Sequence, residues 1–209
     1  MSNLDRIIIV DASTFITLAE VGRLALLRNV GIVYMPDLVA DEIETDPAKA
    51  ILEEVEKPRA STAAEGWVSV VEVAKNPYIH QQRHTADWSD DVNYLHEAAN
   101  HLGRDYEESD HTGDVGILGT ALGFINSSEN KDIVVVTDDK PLRKTCKALG
   151  IPVSGSIGVV IAAVERGDLD PDEAKDSLVA MDEVGARLSA RLLRKAERLI
   201  DEAAEIRGD

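Results

Sequence analysis

Four acidic side chains stand where an α/β chain would bring them to one edge of a sheet. Asp11 and Asp138 each directly follow an apolar run that is rich in β-branched residues, and such runs predict buried strands. In an open parallel sheet the ligand crevice lies beyond the carboxyl ends of the strands. We therefore expect both aspartates to project into that crevice, and Glu42 and Asp114 to join them from helices.

The two helical residues are predicted to face the same crevice. Glu42 borders the apolar stripe of a helix predicted from about 37 to 45, because Leu38 lies four residues before it. Asp114 shares a helix face with Ile117 and lies in the first turn, where the helix dipole favours a negative charge. Both carboxylates are thus expected to point towards the sheet.

Carboxylates gathered on a buried face repel one another and lose hydration unless a cation compensates them. Oxygen ligands suit Mg²⁺ or Mn²⁺, and a site of this kind can lower the pKa of a water and stabilise the leaving oxygen of a phosphodiester. We predict that the metal ligands and catalytic residues of a hydrolase are Asp11, Glu42, Asp114 and Asp138.

Three of the four acidic residues also have a structural explanation. Asp11 can cap the helix that starts just after it, and Asp114 can merely complement a helix dipole. Asp138 or Asp139 can cap the helix that follows them. We assign Asp139 mainly to capping, with a supporting role at the metal site. Four coincidences at one sheet edge favour the metal site over a wholly structural account.

The elements that must position these residues alternate along the chain. Strands are predicted at 6–10, 32–35, 67–73, 132–137 and 151–153. Helices are predicted at 12–27, 37–45, 113–126, 140–149, 156–166, 171–179 and 185–206. Strands separated by helices predict a three-layer α/β/α fold with a four- to five-stranded, mainly parallel sheet, plus C-terminal helices.

We predict one domain over residues 1–167 and a helical extension over 168–209 that packs on it. Residues 75–112 lack clear periodicity, hold many acidic residues and contain all five histidines, which indicates an insertion over the edge or mouth of the sheet. His80 and His84 lie four residues apart, as in a helical zinc site. The segment is not convincingly helical, so we favour polar residues without a metal.

The charge of the chain bears on its substrate. With 39 acidic and 22 basic residues the net charge is -17, which repels a polyanion unless metal ions or salt intervene. Dispersed acidity is also how proteins stay soluble in very salty cytoplasm, so we hypothesise a halophilic host. Lys140 and Arg143 follow the acidic site directly and are predicted to hold substrate phosphates.

The apolar pattern argues against a membrane protein. No apolar stretch reaches the roughly 20 residues that span a bilayer, and the first ten residues lack a signal-peptide pattern. We expect a cytoplasmic protein with no membrane partner.

The segments around the four acids resemble those of PIN-domain ribonucleases in both order and local context. These segments are VDAS at 10–13, PDLVADEI at 36–43, GDVGI at 113–117, VTDD at 136–139 and GIPV at 150–153. The resemblance spans roughly residues 5–167. The segment from Met181 to Leu193 is also similar to the C-terminal helix of a prokaryotic subgroup classed with VapC-type toxins.

The resemblance implies a Mg²⁺- or Mn²⁺-dependent endoribonuclease, with the four acids in its active site and the hydroxyls of Ser13 and Thr137 supporting them. RNA would be the substrate. Membership of the toxin subgroup would add an antitoxin protein and a homodimer as partners.

Two other classes of function stay open at this point. One is a non-catalytic PIN-like module that binds RNA or protein and retains the acidic pocket. The other is a phosphotransfer protein such as a receiver domain. Against a receiver, the first strand ends in one aspartate rather than an acidic pair, and no phospho-acceptor aspartate follows a central strand before Asp114.

Overall fold

A computed structural model describes residues 6–44, 46–56, 66–85, 88–105, 112–127 and 132–208, with the backbone alone at 81–85, 88–92 and 207–208. In chain order the strands of these residues are β1 (Arg6–Val10), β2 (Ile32–Pro36), β3 (Val68–Val71), β4 (His80–Thr85), β5 (Trp88–Asn93), β6 (Asp132–Val136) and β7 (Val153–Ser154). Five of them form a parallel sheet in the order β3-β2-β1-β6-β7, and β4 pairs with β5 as an antiparallel hairpin.

Helices cover both faces of this sheet. They are α1 (Ala12–Glu20), α2 (Asp37–Ala40), α3 (Ala48–Val55), α4 (Tyr94–His101), α5 (Gly113–Ser127), α6 (Lys140–Ala148), α7 (Ser156–Arg166), α8 (Pro171–Met181) and α9 (Ala190–Gly208). Helix α5 packs on β1, β2 and β6 with α4 against it, while α1 packs with α3, α7 and α8. Because residues 7–10 of β1 are buried throughout, the central strand is covered from both sides. The predicted three-layer α/β/α fold is confirmed.

Two predicted helices end earlier than their periodicity indicates. The helix predicted over 12–27 stops at Glu20, because Gly22 adopts a positive φ of 66°, and a separate helical turn follows at Leu24–Asn29. The helix predicted over 37–45 stops at Ala40. Beyond it the backbone forms turns that bury the Ile43 side chain, so burial decides the path of the chain there.

The segment 75–112 contains more structure than its sequence pattern indicates. Its described part holds the β4–β5 hairpin and α4, whose N-terminus is capped by Asn93 accepting a hydrogen bond from the Leu95 amide. Helix α4 approaches α5 closely at Gly119, where a Cβ atom would lie 2.7 Å from Leu95 Cδ2. Helix α4 of this segment therefore forms part of one helical layer by packing on α5. The helix α3 was also not predicted.

The C-terminal helices pack against the rest of the fold. Helix α7 ends at Gly167, which has a φ of 80°, and α9 then packs on α7 and α8 through Ala196, Ile200 and Ala203. No helix in the described part of the chain is both long and apolar enough to cross a bilayer. We expect residues 168–209 to fold as one unit with the sheet.

Replacing Ile200 by Ala should lower the free energy of unfolding by about 2–5 kcal/mol, because the side chain is fully buried under α7 and α8. If the extension and the sheet are one unit, urea unfolding followed by circular dichroism stays a single transition with an unchanged denaturant slope. Ile206→Ala is the control, since Ile206 lies on the same helix but is 73% exposed. Two separate transitions would show that the extension unfolds by itself.

Candidate functional site

The parallel pairing of β1 with β6 places Asp11 at the switch point of the sheet. Val10 pairs with Val136, and the Asp11 amide continues the ladder by donating to the Val136 carbonyl at 3.0 Å. The chain leaves β1 towards β2 and leaves β6 towards β7, so strand order reverses between β1 and β6. Crevices at such reversals are the usual ligand sites of open α/β sheets.

The Asp11 carboxylate is buried, and its hydrogen-bond partners include two hydroxyl groups and the Ala12 backbone. Its Oδ2 atom accepts hydrogen bonds from Ser13 Oγ at 2.7 Å and from Thr137 Oγ1 at 2.8 Å. The side chain makes no hydrogen bond that caps α1, although Asp11 is the residue that precedes the helix. The capping explanation for Asp11 is therefore wrong, and the predicted contacts of Ser13 and Thr137 are present.

Asp138 lies on the other side of the reversal and is held by groups from α1 and α7. Thr14 Oγ1 donates to Asp138 Oδ2 at 3.2 Å, and the Ser156 amide donates to both carboxylate oxygens at 3.2 Å. The two threonine contacts therefore cross between the strands. Thr14, which follows β1, contacts the aspartate after β6, and Thr137, which follows β6, contacts the aspartate after β1. Asp139 caps α6 by accepting from the Leu142 amide at 2.7 Å, which confirms its capping role.

Glu42 approaches the site from the turn after α2, and not from a helix face as predicted. The residue as a whole is exposed, yet its carboxylate lies against the backbone at the start of α5. The Gly113 amide donates to Glu42 Oε1 at 2.9 Å. A Cβ atom on Gly113 would lie 2.6 Å from the same oxygen, so this approach requires glycine.

Asp114 lies in the first turn of α5, as predicted, and carries a partner that the sequence pattern did not indicate. Arg104 Nη2 donates to Asp114 Oδ2 at 2.9 Å, and Arg104 Nη1 donates to Thr112 Oγ1. The two side chains of the ion pair are 43% and 26% exposed. A pair this open to water is worth at most about 1 kcal/mol, so it does not neutralise Asp114 permanently.

The pKa values of Asp11 and Glu42 are both raised, in part by the charges of neighbouring acids. Burial raises the pKa of the Asp11 carboxyl, the two hydroxyl donors oppose that rise, and the charge of Asp114 adds to it. Partial desolvation also raises the pKa of Glu42, against the Gly113 amide, and the charges of Asp11 and Asp114 add to the rise. Asp11 and Asp138 are each contacted by one threonine, Thr137 for Asp11 and Thr14 for Asp138.

The donor set at this edge is made of oxygen atoms. Among the described residues no Lys, Arg or His forms an ion pair with Asp11 or Glu42. Within the same residues, no three acidic, His or Cys side chains are already close enough together to hold a metal ion. The chemistry of the donors fits Mg²⁺ or Mn²⁺, and the carboxylates would have to draw together to bind one.

The predicted phosphate-binding residues lie next to the acids on α6. Lys140 is exposed, whereas Arg143 donates from Nη1 to the carbonyl of Thr137 at 2.7 Å and to that of Ser154. Arg143 therefore ties the ends of β6 and β7 together as well as facing a cleft. That cleft measures about 330 Å³ and is lined by Lys140, Arg143, Lys144 and Lys147.

The structure also describes part of the histidine-rich segment. The His80 ring contacts the Val73 carbonyl at 3.0 Å, and the His84 side chain lies outside the described residues. His80 is in strand β4 and not on a helix, so the spacing of a helical zinc site does not apply.

Sequence reasoning missed Thr14, Gly113 and Arg104. Thr14 lies three residues after Asp11 in the first turn of α1, so a search for hydroxyls within one turn of each acid would have found it. Gly113 precedes Asp114 directly, and a glycine before a helix-starting acid marks a close approach. No local pattern indicates Arg104, because its contact depends on how the end of α4 returns to α5.

Two models of protein families match the chain. A family model described as a PIN domain matches residues 47–156, more than half of the chain, and a second model with the same description matches residues 118–202. Asp114 and Asp138 lie inside the first match, and Asp11 and Glu42 precede it. No curated protein matches the chain.

Asp11→Asn should stabilise the metal-free protein at neutral pH. A carboxyl whose pKa is raised on folding costs no stability below its ordinary pKa of about 3.9, and stability falls as the pH rises from there through the raised value. Asparagine can still accept both hydroxyl hydrogen bonds without the charge. We expect a higher melting temperature at pH 7 with a chelator present, at about 2–4 °C for each kcal/mol gained.

The gain should vanish as the pH approaches about 4, since aspartate is then protonated as well. Asp41→Asn, at an exposed position in the same turn as Glu42, is the control and should not shift the melting temperature. A lower melting temperature for Asp11→Asn at neutral pH would contradict the assignment of Asp11 as a destabilising buried charge.

Proposed function

Because the chain belongs to the PIN domain family, whose members are typically nucleases that use divalent metal ions, we propose that it is a metal-dependent endoribonuclease. The proposal rests on one observation above the others. Asp11 is a buried carboxylate, only 7% exposed, whose pKa is raised by burial and by the charge of Asp114 against two hydroxyl donors, and its own charge in turn raises the pKa of Glu42.

A divalent cation would resolve this conflict of charges. We propose that Asp11, Asp114 and Asp138 hold a Mg²⁺ or Mn²⁺ ion directly or through water, and that Glu42 helps to hold it or a second ion. When bound, such an ion would lower the pKa of a water molecule and stabilise the negative charge on the leaving oxygen of a phosphodiester. The PIN family implies a divalent ion in general, and the choice of Mg²⁺ or Mn²⁺ rests on the oxygen donors.

The residues of the chain would orient the reaction around these acids. Ser13 and Thr137 would fix the orientation of the Asp11 carboxylate by donating to Oδ2. Gly113 directs the Glu42 carboxylate, and Thr14 does the same for Asp138. Asp139 would support the site from the α6 cap.

The basic side chains on α6 support RNA as the substrate. The chain has a net charge of -17, but α6 carries four cations and no acid in nine residues, immediately after Asp138. Within the described residues none of these four cations forms an ion pair. We propose that Lys140, together with the guanidinium edge of Arg143 that faces the cleft, holds phosphates beside the scissile bond.

A second candidate is a non-catalytic PIN-like module that binds RNA or protein. The Arg104–Asp114 ion pair favours it, because a cation from the chain itself already contacts one of the proposed metal ligands. A toxin role, an antitoxin partner, a homodimer and a halophilic, cytoplasmic setting remain predictions. They rest on the resemblance to the toxin subgroup and on the composition of the chain.

Cleavage of labelled single-stranded RNA with Mn²⁺ present, and its loss on addition of a chelator, is the direct test. Asp11→Asn and Asp114→Asn should each lower the cleavage rate by at least about 100-fold, because each removes a charge that holds the ion. Asp41→Asn is the control and should cleave as the parent does. Reactions belong at both low and molar salt, because a halophilic enzyme would lose activity at low salt.

Stabilisation of the parent by Mn²⁺ without cleavage at either salt concentration would support the binding module instead. Undiminished cleavage by Asp11→Asn would show that Asp11 is not part of the active site.

Arg104→Gln should strengthen the binding of Mn²⁺. The ion pair with Asp114 must open before that carboxylate can bind a cation, and removing a competitor worth at most about 1 kcal/mol raises the affinity by up to about fivefold. Calorimetric titration of the metal-free protein measures this change. Arg198→Gln is the matched control, since Arg198 forms an exposed pair with Glu202 at the same 2.9 Å on α9.

Unchanged affinity in Arg104→Gln would mean that Arg104 does not compete with the ion. Weaker binding would mean that Arg104 assists the site.

A further inference from the structure

A second cleft begins at Asp138 and runs between α6, α7 and α9. It measures about 370 Å³, near the lower limit for sites that take a small ligand. Its walls are mainly apolar, with Ile157, Ile161 and Leu192 among the lining residues. Three basic residues also line the cleft, namely Lys140, Arg143 and Lys195.

Two glycines keep this cleft open next to the acidic site. A Cβ atom on Gly155 would collide with the Asp138 carboxylate and would lie 2.9 Å from Arg143 Nη1. A Cβ atom on Gly158 would collide with Ser154 Oγ. A larger residue at Gly155 would therefore displace Asp138 or Arg143, both of which line this cleft.

The apolar cleft and the basic cleft on α6 share Lys140 and Arg143. The apolar cleft therefore lies on one side of Lys140 and Arg143, and the basic cleft lies on the other side. Lys140, Lys144 and Lys147 follow one another at helical spacing along α6, so they form a stripe that leads away from Asp138. A ligand that extends across both clefts would combine an apolar group with repeated negative charge.

We propose that the cleft between α6, α7 and α9 binds one nucleobase of a single-stranded RNA, while the cations of α6 hold the phosphates that follow it. This inference rests on the proposed nuclease function and specifies its substrate. A base within a duplex is stacked and paired, so it cannot enter a side cleft, whereas an unpaired base can be turned out of the strand. Charge complementarity supports an anionic ligand, because the cations gather here on a chain with a net charge of -17.

Leu192 offers a sharp test because it lines the cleft and is 41% exposed, so its replacement leaves the core intact. Affinity is measured by fluorescence anisotropy with Mn²⁺, using a labelled oligouridylate and the same strand annealed to its complement. The Asp11→Asn protein serves as parent so that the probe is not cut. Leu192→Glu should weaken single-strand binding by about tenfold, and the duplex should bind the parent more weakly than the single strand does.

Two controls separate the cleft from general effects of charge. Ile206→Glu adds the same charge to the same helix outside the residues that line the cleft, and should bind RNA as the parent does. Lys144→Gln and Lys147→Gln should each reduce the slope of log affinity against log salt by about 0.7, as expected for a lost phosphate contact on a single strand. Lys49→Gln, on α3, should leave that slope unchanged.

The outcomes distinguish this inference from the proposed function. Unchanged RNA affinity in Leu192→Glu, or equal binding of duplex and single strand, overturns the base-binding cleft, even if the natural chain cleaves RNA. If Leu192→Glu changes the molecular mass measured by light scattering but leaves the RNA affinity unchanged, the cleft binds a second copy of the chain. That result also overturns the base-binding proposal. If the parent binds no RNA and the natural chain cuts none, both proposals are wrong.

Discussion

The parallel register between β1 and β6 is the constraint on which the acidic edge depends. Pairing of Val10 with Val136 sets Asp11 beside Thr137, so that one hydroxyl can reach the other strand's carboxylate. Thr14 returns the contact to Asp138 from the first turn of α1. A slip of one residue would turn these side chains to opposite faces, and it would also expose the buried runs of both strands. Core packing therefore enforces the geometry of the site.

The partners that hold the acids are weak ones. Asp11 has two hydroxyls, Glu42 has one amide, and Asp114 has an arginine in a partly exposed pair. Each offsets part of the cost of burying or crowding a carboxylate, and none of them removes the charge. A site built this way retains its negative charge, which a bound cation would compensate.

Sequence reasoning found the parts of this site that depend on local pattern. Asp11 and Asp138 could be predicted because β-branched runs mark strand ends, and Asp114 because α5 is a long helix that starts beside it. Glu42 was placed on a helix that does not extend so far, since burial of Ile43 overrides helical periodicity there. Arg104 could not be predicted, because its position depends on α4 packing against α5 at Gly119.

An acidic chain can bind RNA if the attraction for RNA is confined to one part of its surface, here the cations of α6. Repulsion from most of the surface discourages nucleic acid from settling elsewhere, whereas α6 offers four cations in succession from Asp138 onward. Salt weakens both effects, because the screening length falls to about 3 Å at 1 M. In a salty cytoplasm the apolar cleft would then contribute a larger share of binding, since burial of apolar surface is not screened.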